Sequence, residues 1–333
     1  MARPQIRNKR FVGKQTFADN ARLVFDLPRD FDYESIIIRF YGTTTLTVAG
    51  AAVRAEAPLQ LAKYIGLRAN GTDLLDGLSG PIAHRMGAMR RGQLAPLTAQ
   101  AAATATAQAF SGVVILDRAV IDGIRSKDGN FPSRGLSTFQ LTFDAGAAAD
   151  CFTGTPTGTI TAGTVEVCVV QCAEQPGADG KLSLPRVVTK RTQASYAYPA
   201  ANTNSQIRLN TGNLTRGLLL RAYGYATAGE PSDAMVNNVK IQKGNQVLFD
   251  MPWATLRALN AADMDISTIP TGYAFIDFMN MGGVAGKLSD CLDLRDGEEV
   301  WLYVDTLGAT NAALDVATLE FMPYNPRYWG IAA

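Results

Sequence analysis

A seven-residue pattern occurs twice in this chain and constrains its fold more than any other feature. IIIRFYG at residues 36–42 returns as LLLRAYG at residues 218–224, 182 positions further along a chain of 333 residues. Each copy begins with an uninterrupted apolar run, which is typical of a strand covered on both faces. The chain is also longer than most domains that fold around a single hydrophobic core. The pattern therefore predicts two domains built on one plan.

Further segments recur in the same order on either side of this pattern. They are RLVFDLP (22–28) with QIRLNTG (206–212), a helix beginning at Pro58 with one beginning at Pro252, VVILD (113–117) with FIDFM (275–279), FQLTFDAGA (139–147) with VWLYVDTLGA (300–309), and TVEVCVV (164–170) with VATLEFM (316–322). Six matched elements indicate an internal duplication, with its boundary within residues 174–193. The first half carries about 21 additional residues between its helix and the next strand, where the Ala/Thr-rich tract 95–110 lies.

The residue pattern favours strands over helices. Apolar residues alternate with polar ones in segments such as RLVFDLP and EVWLYVD, as in strands with one face on a core. Glycine and proline recur at short intervals along the chain, which favours antiparallel sandwiches over βαβ units. Helical spacing is limited to residues 58–65 and to the face formed by Trp253, Leu256 and Leu259. The tract 95–110 is predicted to be a loop or a loose helix.

Charge and cysteine content restrict the functional classes. The 31 Lys and Arg residues nearly cancel the 30 Asp and Glu residues, so no net field favours nucleic acid or an anionic membrane. The first ten residues lack the apolar core of a secretory signal, so folding in a cytoplasm with free thiols is expected. Cys168 and Cys172 lie four apart on a predicted strand, about 13 Å from each other, which excludes a shared metal or a mutual disulfide. All four cysteines, which include Cys151 and Cys291, are predicted to be buried structural thiols.

No segment carries the pattern of a catalytic or cofactor site. The single histidine, His84, excludes a multi-histidine metal site, and no nucleophile elbow accompanies it. We expect it to be solvated or locally hydrogen-bonded in a basic loop. GGVAGKLS (282–289) lacks the first glycine and the hydroxyl residue of a phosphate loop. DMDISTIPTGYA (263–274) lacks the turn glycine and the terminal glutamate of a calcium loop. The prediction is a protein without catalytic residues, cofactor or metal.

Two terminal segments hold the candidate interface residues. The basic start could contact an acidic partner subunit, lipid headgroups or nucleic acid, or remain a solvated patch. The aromatic end is predicted to pack on a neighbouring subunit, because such contacts favour Tyr, Trp and Arg. The candidates are Arg3, Arg7, Lys9, Arg10, Tyr324, Arg327, Tyr328 and Trp329.

Several stretches resemble viral double jelly-roll major capsid proteins, most of all those of the membrane-containing corticovirus and tectivirus type. These are FDLPRDFDYESIIIRFYG (25–42), GLSTFQLTFDAGAAA (135–149), AFIDFMNMGG (274–283) and ATLEFMPY (317–324). The resemblance implies an all-β fold of two tandem eight-stranded jelly-roll sandwiches with a few short helices. It implies an N-terminal arm at residues 1–20, a first jelly roll at 21–180, and a second jelly roll with the aromatic tail at 190–333.

The same resemblance implies a structural function in a virion. Three chains would form a pseudo-hexagonal homotrimer, and trimers would tile an icosahedral shell over an inner membrane. Its partners would be neighbouring capsomers, minor capsid or vertex proteins and, through the arm, the membrane, without sequence-specific binding of nucleic acid. The alternative is a carbohydrate-binding or adhesion tandem sandwich, such as a phage spike or a lectin-like protein. Arg39 and Arg221, each following a buried run, are expected at a solvent-exposed strand end or paired with a carboxylate.

Overall fold

The structure, a computed structural model, describes residues 6–71, 73–91, 94–118, 130–173, 187–263, 269–279 and 291–323. These residues form mostly strands, with short helices between them. They divide into two compact units: the first holds the described residues up to Lys190, and the second holds Arg191–Met322. In the part of the chain described, the helices are too short and too polar to span a bilayer.

The first unit is a sandwich of two antiparallel sheets. Its strands are β1 (Ile6–Phe17), β2 (Arg22–Asp26), β3 (Asp32–Val48), β4 (Ala62–Ala69), β5 (Asp73–Leu78), β6 (Leu97–Thr98), β7 (Ala107–Asp117), β8 (Phe139–Ala145) and β9 (Thr157–Ala173). Its helices are α1 (Ala57–Gln60) and α2 (Gly80–Arg91), with a 3-10 turn at Ala148–Cys151. One sheet has the order β1-β9-β3-β7-β6, and the other contains β5-β4-β8-β2. This order of strands is that of a jelly roll.

Alternating side chains from both sheets form the core of the first unit. On β3, Ile36, Ile38 and Phe40 point inward and are fully buried, whereas the residues between them point to the outer face. The ring of Phe40 lies 5.8 Å from that of Phe143 on β8, which belongs to the other sheet. Aromatic contacts of this kind join the two layers of the sandwich.

The second unit repeats the arrangement. Its strands are β10 (Val187–Ala197), which begins within the first unit, β11 (Asn202–Arg208), β12 (Leu214–Tyr223), β13 (Val236–Lys243), β14 (Gln246–Pro252), β15 (Tyr273–Asp277), β16 (Leu292–Asp293), β17 (Val300–Thr306) and β18 (Ala313–Pro323); helix α3 is Trp253–Asp263. One sheet contains β15-β12-β18-β10, with β16 beside β12, and the other has the order β11-β17-β13-β14. Leu218 and Leu220 of β12 pack in one core with Ile241 of β13 and Leu302 of β17.

Eight of the described strands of the first unit have counterparts in the second, and β6 and β16 have none. The sheet β1-β9-β3-β7 matches β10-β18-β12-β15, and β2-β8-β4-β5 matches β11-β17-β13-β14. IIIRFYG lies on β3 and LLLRAYG on the equivalent β12. The predicted pairing of the strand segments is therefore confirmed, as is the all-β fold of two jelly rolls.

The predicted pairing of the two helices is wrong. The segment that begins near Pro58 forms only one helical turn, α1, and the chain enters strand β4 at Ala62. β4 is paired with β5 on one side and β8 on the other, so sheet pairing outweighs the local helical spacing. The counterpart of α3 is α2, because α2 follows β5 and precedes β7, while α3 follows the equivalent strand β14 and precedes the equivalent strand β15.

Two local predictions also differ from the structure. On α3, Trp253 and Leu256 are buried as expected, but Leu259 is exposed. Asn260 takes the inward position, where its side-chain amide donates to the carbonyl of Phe275 and accepts from its N–H, both at 2.7 Å. The Ala/Thr-rich tract 95–110 contains β6 and the start of β7 rather than a helix.

The N-terminal segment expected as an arm contains a regular strand. β1 pairs antiparallel with β9 from Ile6 to Phe17, with a bulge between Phe11 and Gly13. It forms the edge of its sheet.

Candidate functional site on the outer sheet face

The structure places three of the predicted interface cations on edge strand β1. Arg7, Lys9 and Arg10 are all exposed. Arg7 forms an ion pair with Glu34, and Arg10 pairs with Asp30 at 2.9 Å. Because two of these cations are already neutralised within the chain, the strand presents less free positive charge than the sequence indicates. Arg3, Tyr324, Arg327, Tyr328 and Trp329 lie outside the described residues.

A cluster that the repeat predicts only in part lies on the outer face of β3 and β9. Arg39 is opposite Glu166 in the strand register, and their side chains approach to 3.3 Å. Tyr41, two residues along the same face, donates its hydroxyl to Glu166 at 2.8 Å. The guanidinium of Arg39 lies 4.5 Å from the centre of the Tyr41 ring. Three side chains from two strands are thus held in one geometry by an ion pair, a hydrogen bond and a cation–π contact.

The second unit contains the same cluster at equivalent positions. Arg221 on β12 is opposite Asp315 on β18, at 2.8 Å. Tyr223 donates its hydroxyl to Asp315 at 3.4 Å, and the guanidinium of Arg221 lies 4.1 Å from its ring. Burial, followed by the charge of Asp315, raises the pKa of Tyr223 above its ordinary value. The expectation that Arg39 and Arg221 pair with carboxylates is confirmed.

Sequence reasoning identified the two arginines but missed their partners. The signal was present: both repeats read Arg-x-Tyr, which places the two side chains on one face of a strand. The carboxylates Glu166 and Asp315 lie in the matched segments around TVEVCVV and VATLEFM. Only the strand register brings them opposite the arginines.

His84 is placed differently from the prediction. It lies in helix α2, is 2% exposed, and its Nε2 is 3.0 Å from the carbonyl oxygen of Ala95. The hydrogen bond is therefore present, but the basic loop is a helix packed against β7 and β4. Burial lowers the pKa of His84 to about 4, so the imidazole is neutral at physiological pH.

The four cysteines are free thiols, as predicted. Cys151, Cys172 and Cys291 are buried, and burial raises the pKa of Cys151 to about 12. Cys168 differs, because it points to the outer sheet face and is only half-buried. Among the residues that the structure describes, no three His, Cys, Asp or Glu side chains come together as a metal site. The glycine-rich segment 282–289 lies outside the described residues, and Asp263 ends α3.

Comparison with known proteins gives matches in structure but not in sequence. No family model matches the chain, and no curated protein matches it in sequence. The crystal structure of the STIV MCP superposes with a TM-score of 0.75 at 16% identity, over 98% of this chain and 99% of that chain. The atomic structure of Sulfolobus Turreted Icosahedral Virus gives a TM-score of 0.76 at 15% identity, over 95% and 91%.

A bacterial virus protein matches over a similar extent. The major capsid protein P2 from bacteriophage PM2 superposes with a TM-score of 0.64 at 15% identity, over 96% of this chain and 98% of that chain. The resemblance to double jelly-roll major capsid proteins is thus confirmed at the level of fold. The chain has the double jelly-roll fold of viral major capsid proteins.

Proposed function

We propose that this chain is the major capsid protein of an icosahedral virus. The observation that carries the proposal is the match to the STIV MCP over 98% of this chain and 99% of that chain. Agreement over nearly the full length of both chains means that the two proteins share a pair of jelly rolls and not a single one. The carbohydrate-binding alternative is not favoured, because the full-length matches are capsid proteins.

The duplicated architecture supports a pseudo-hexagonal homotrimer. Three chains with two equivalent jelly rolls each present six similar corners, so a threefold assembly fills a sixfold lattice position. Covalent fusion of the two jelly rolls also removes one association step and its entropic cost. We propose that neighbouring capsomers and minor capsid or vertex proteins are the partners, and that the shell surrounds an inner membrane in the virion.

The near-neutral charge supports a shell protein that does not bind the genome directly. Lys and Arg number 31 and Asp and Glu 30, which leaves a net charge of only +1 to neutralise phosphates. The candidate cations on β1 are partly paired with Glu34 and Asp30. Contacts between chains therefore depend on matched surfaces rather than on a general electrostatic field.

Light scattering on the purified full-length chain tests this function. We expect a particle of three times the 35.6 kDa chain mass at micromolar concentration. Negative-stain images of that particle should show a pseudo-hexagonal outline. A chain that stays monomeric at micromolar concentration contradicts the proposal.

A further inference from the structure

A cavity opens between the two sheets of the second unit. Within this unit β10 is the outermost strand of one sheet and β11 that of the other. The cavity has a volume of about 510 Å³ and is lined by residues 195–202 and Ser205. A smaller space of about 160 Å³, lined in part by residues 207–210, shares Tyr196 with it. We call the two spaces the β10–β11 groove. The larger one has the volume of about 300–1,000 Å³ that is usual for small-molecule sites.

The strand register identifies the equivalent position in the first unit. Phe17 at the end of β1 is opposite Gly163 of β9. Tyr198, which follows β10, donates its N–H to the carbonyl oxygen of Ala312 at 2.8 Å. Gly163 and Ala312 each lie three residues before the carboxylate that pairs with the repeated arginine. Phe17 and Tyr198 are therefore equivalent, and the groove corresponds to the space between β1 and β2.

In the first unit a side-chain hydrogen bond spans that space. Gln15, two residues before Phe17, donates its Nε2 to the carbonyl oxygen of Val24 on β2 at 2.8 Å. Its equivalent in the second unit is Tyr196, which is half-buried and packs against the core. A polar side chain that joins two strands is thus replaced by an aromatic ring at the opening of the sandwich.

A second replacement removes apolar volume from the same place. Leu23 is opposite Phe143 in the first unit, and both are buried. At the equivalent positions of the second unit, Ser205 is opposite Val304. This smaller pair leaves room for the hydroxyl of Tyr198, which lies 2.7 Å from Oγ of Ser205. An apolar layer in the first unit therefore becomes a hydroxyl-lined opening in the second.

We propose that the β10–β11 groove binds a neutral saccharide. The larger cavity is lined by serine and tyrosine hydroxyls and by the carboxamide of Asn202, and the described residues that line it include no Asp, Glu, Lys or Arg. Hydroxyl and carboxamide groups both donate and accept hydrogen bonds, which suits the hydroxyls of a sugar. The ring of Tyr196 offers an apolar surface for the C–H groups of a sugar ring.

The charges near the groove favour a neutral ligand over an anionic one. Arg208 borders the smaller space, and its guanidinium is paired with Glu299 at 3.0 Å. An anionic ligand would have to compete with this carboxylate for the guanidinium. Since one chain forms the whole groove, sugar binding does not depend on assembly. It adds a binding site to the proposed shell protein and does not replace its structural function.

Binding of neutral oligosaccharides to the full-length chain tests this inference. The probe is a microarray of di- to tetrasaccharides of glucose, galactose, mannose and N-acetylglucosamine, with sialylated and sulfated forms beside them. We expect at least one neutral oligosaccharide to bind, and its charged forms to bind no better. If no neutral oligosaccharide binds, or if only charged forms bind, the inference is wrong.

Substitutions in the groove locate the site on the chain. Tyr196→Ala removes the aromatic ring, and Ser205→Leu introduces the residue that fills the equivalent position of the first unit. We expect each to weaken binding of the best neutral oligosaccharide at least about tenfold. Gln15→Ala is the matched control, because it changes the first-unit equivalent of Tyr196, and it should leave the affinity unchanged.

A rim substitution keeps the test valid if a core variant does not fold. Ser205→Leu also removes the partner of the Tyr198 hydroxyl, so thermal unfolding must verify its fold. Asn202 is exposed, and Asn202→Ala should weaken binding about two- to tenfold through the loss of a hydrogen bond. Undiminished binding by folded Tyr196→Ala and Asn202→Ala overturns the inference, even if the chain forms the expected trimer.

Discussion

The two jelly rolls contain the same Arg–Tyr–carboxylate cluster in opposite environments. The side chain of Arg39 is 53% exposed and that of Arg221 is 7% exposed, although both are opposite a carboxylate on the equivalent neighbouring strand. The repeated sequence therefore determines the geometry of the cluster, whereas the surrounding chain determines its energetics. An exposed ion pair contributes little to stability, but a buried pair that loses one partner leaves a charge in a medium of low polarity.

The largest difference is expected on removal of the buried carboxylate. Asp315→Ala removes the carboxylate opposite Arg221 in a buried site, and breaking a buried ion pair costs about 3–5 kcal/mol of unfolding free energy. The midpoint of urea unfolding, followed by circular dichroism, measures this loss. A midpoint shift no larger than that of Glu166→Ala, the matched change in the first unit, contradicts the comparison.

The second difference lies at the glycine that ends the repeated pattern. β3 continues through Gly42 to Val48, whereas β12 ends at Tyr223 and Gly224 adopts a φ of +79°. A Cβ at Gly224 would also meet the carbonyl oxygen of Asn311. Gly224→Ala should cost about 1–3 kcal/mol for the backbone alone, and more with the contact.

A glycine in an open position separates these two contributions to the cost. Gly212 has a φ of +100° with nothing within 4 Å of an added Cβ. Gly212→Ala therefore reports the backbone strain without the steric contact. Equal losses of unfolding free energy for Gly212→Ala and Gly224→Ala would show that the contact with Asn311 does not matter.

Acid should affect the first unit before the second, because His84 lies in the first unit. Its pKa is lowered to about 4, mainly by burial, against an ordinary value near 6.5. Between these values the unfolded chain binds a proton that the folded chain does not, so stability falls as the pH falls from about 6.5 to about 4. The slope reaches at most about 1.4 kcal/mol per pH unit.

Urea unfolding between pH 7 and pH 4 measures this dependence, with His84→Gln as the control. In the second unit, the hydrogen bonds from Arg295 lower the pKa of Asp293 to about 2, so Asp293 titrates mainly below this window. A slope that persists in His84→Gln would assign the acid sensitivity to other groups.

The smallest effect is expected for the exposed member of the comparison. Glu166→Ala removes the partner of Arg39 and of the Tyr41 hydroxyl, but water can solvate both. The loss should be about 0–1 kcal/mol in dilute, dissociated protein. High salt should remove most of it, since exposed pairs are screened. A loss above 3 kcal/mol would show that the cluster is structurally essential in both units.

The sequence was sufficient to predict the repeated strands. Two uninterrupted apolar runs, Ile36 to Ile38 and Leu218 to Leu220, place apolar side chains on both faces of a strand, which is typical of central strands. The helices were harder to predict. A proline stands near the start of three segments, at Pro58, Pro81 and Pro252, but the segment at Pro58 forms only one helical turn. The sequence predicts a basic loop at Pro81, yet Ile82, Ala83 and Met86 are buried against the sheet. The arginines make the composition of this segment basic, so its composition does not indicate the short apolar face.

The difference between Arg39 and Arg221 could not be predicted from the sequence. Both follow three aliphatic residues and precede an x-Tyr-Gly, so their local patterns are almost the same. Their side chains are nevertheless 53% and 7% exposed, a difference that the local sequence does not contain. The strand register, which brings Glu166 and Asp315 opposite them, is likewise a property of the folded sheet.

Edge strand β1 affects how readily copies of the chain aggregate through their sheet edges. A bare sheet edge invites pairing with the edge of another molecule. β1 presents Arg7, Lys9, Arg10 and Lys14 along that edge, and a bulge interrupts its regular pairing. Without this strand, the alternating valines of β9 would form the edge. The cations and the bulge of β1 thus make this edge a poor template for pairing with another molecule, which limits aggregation.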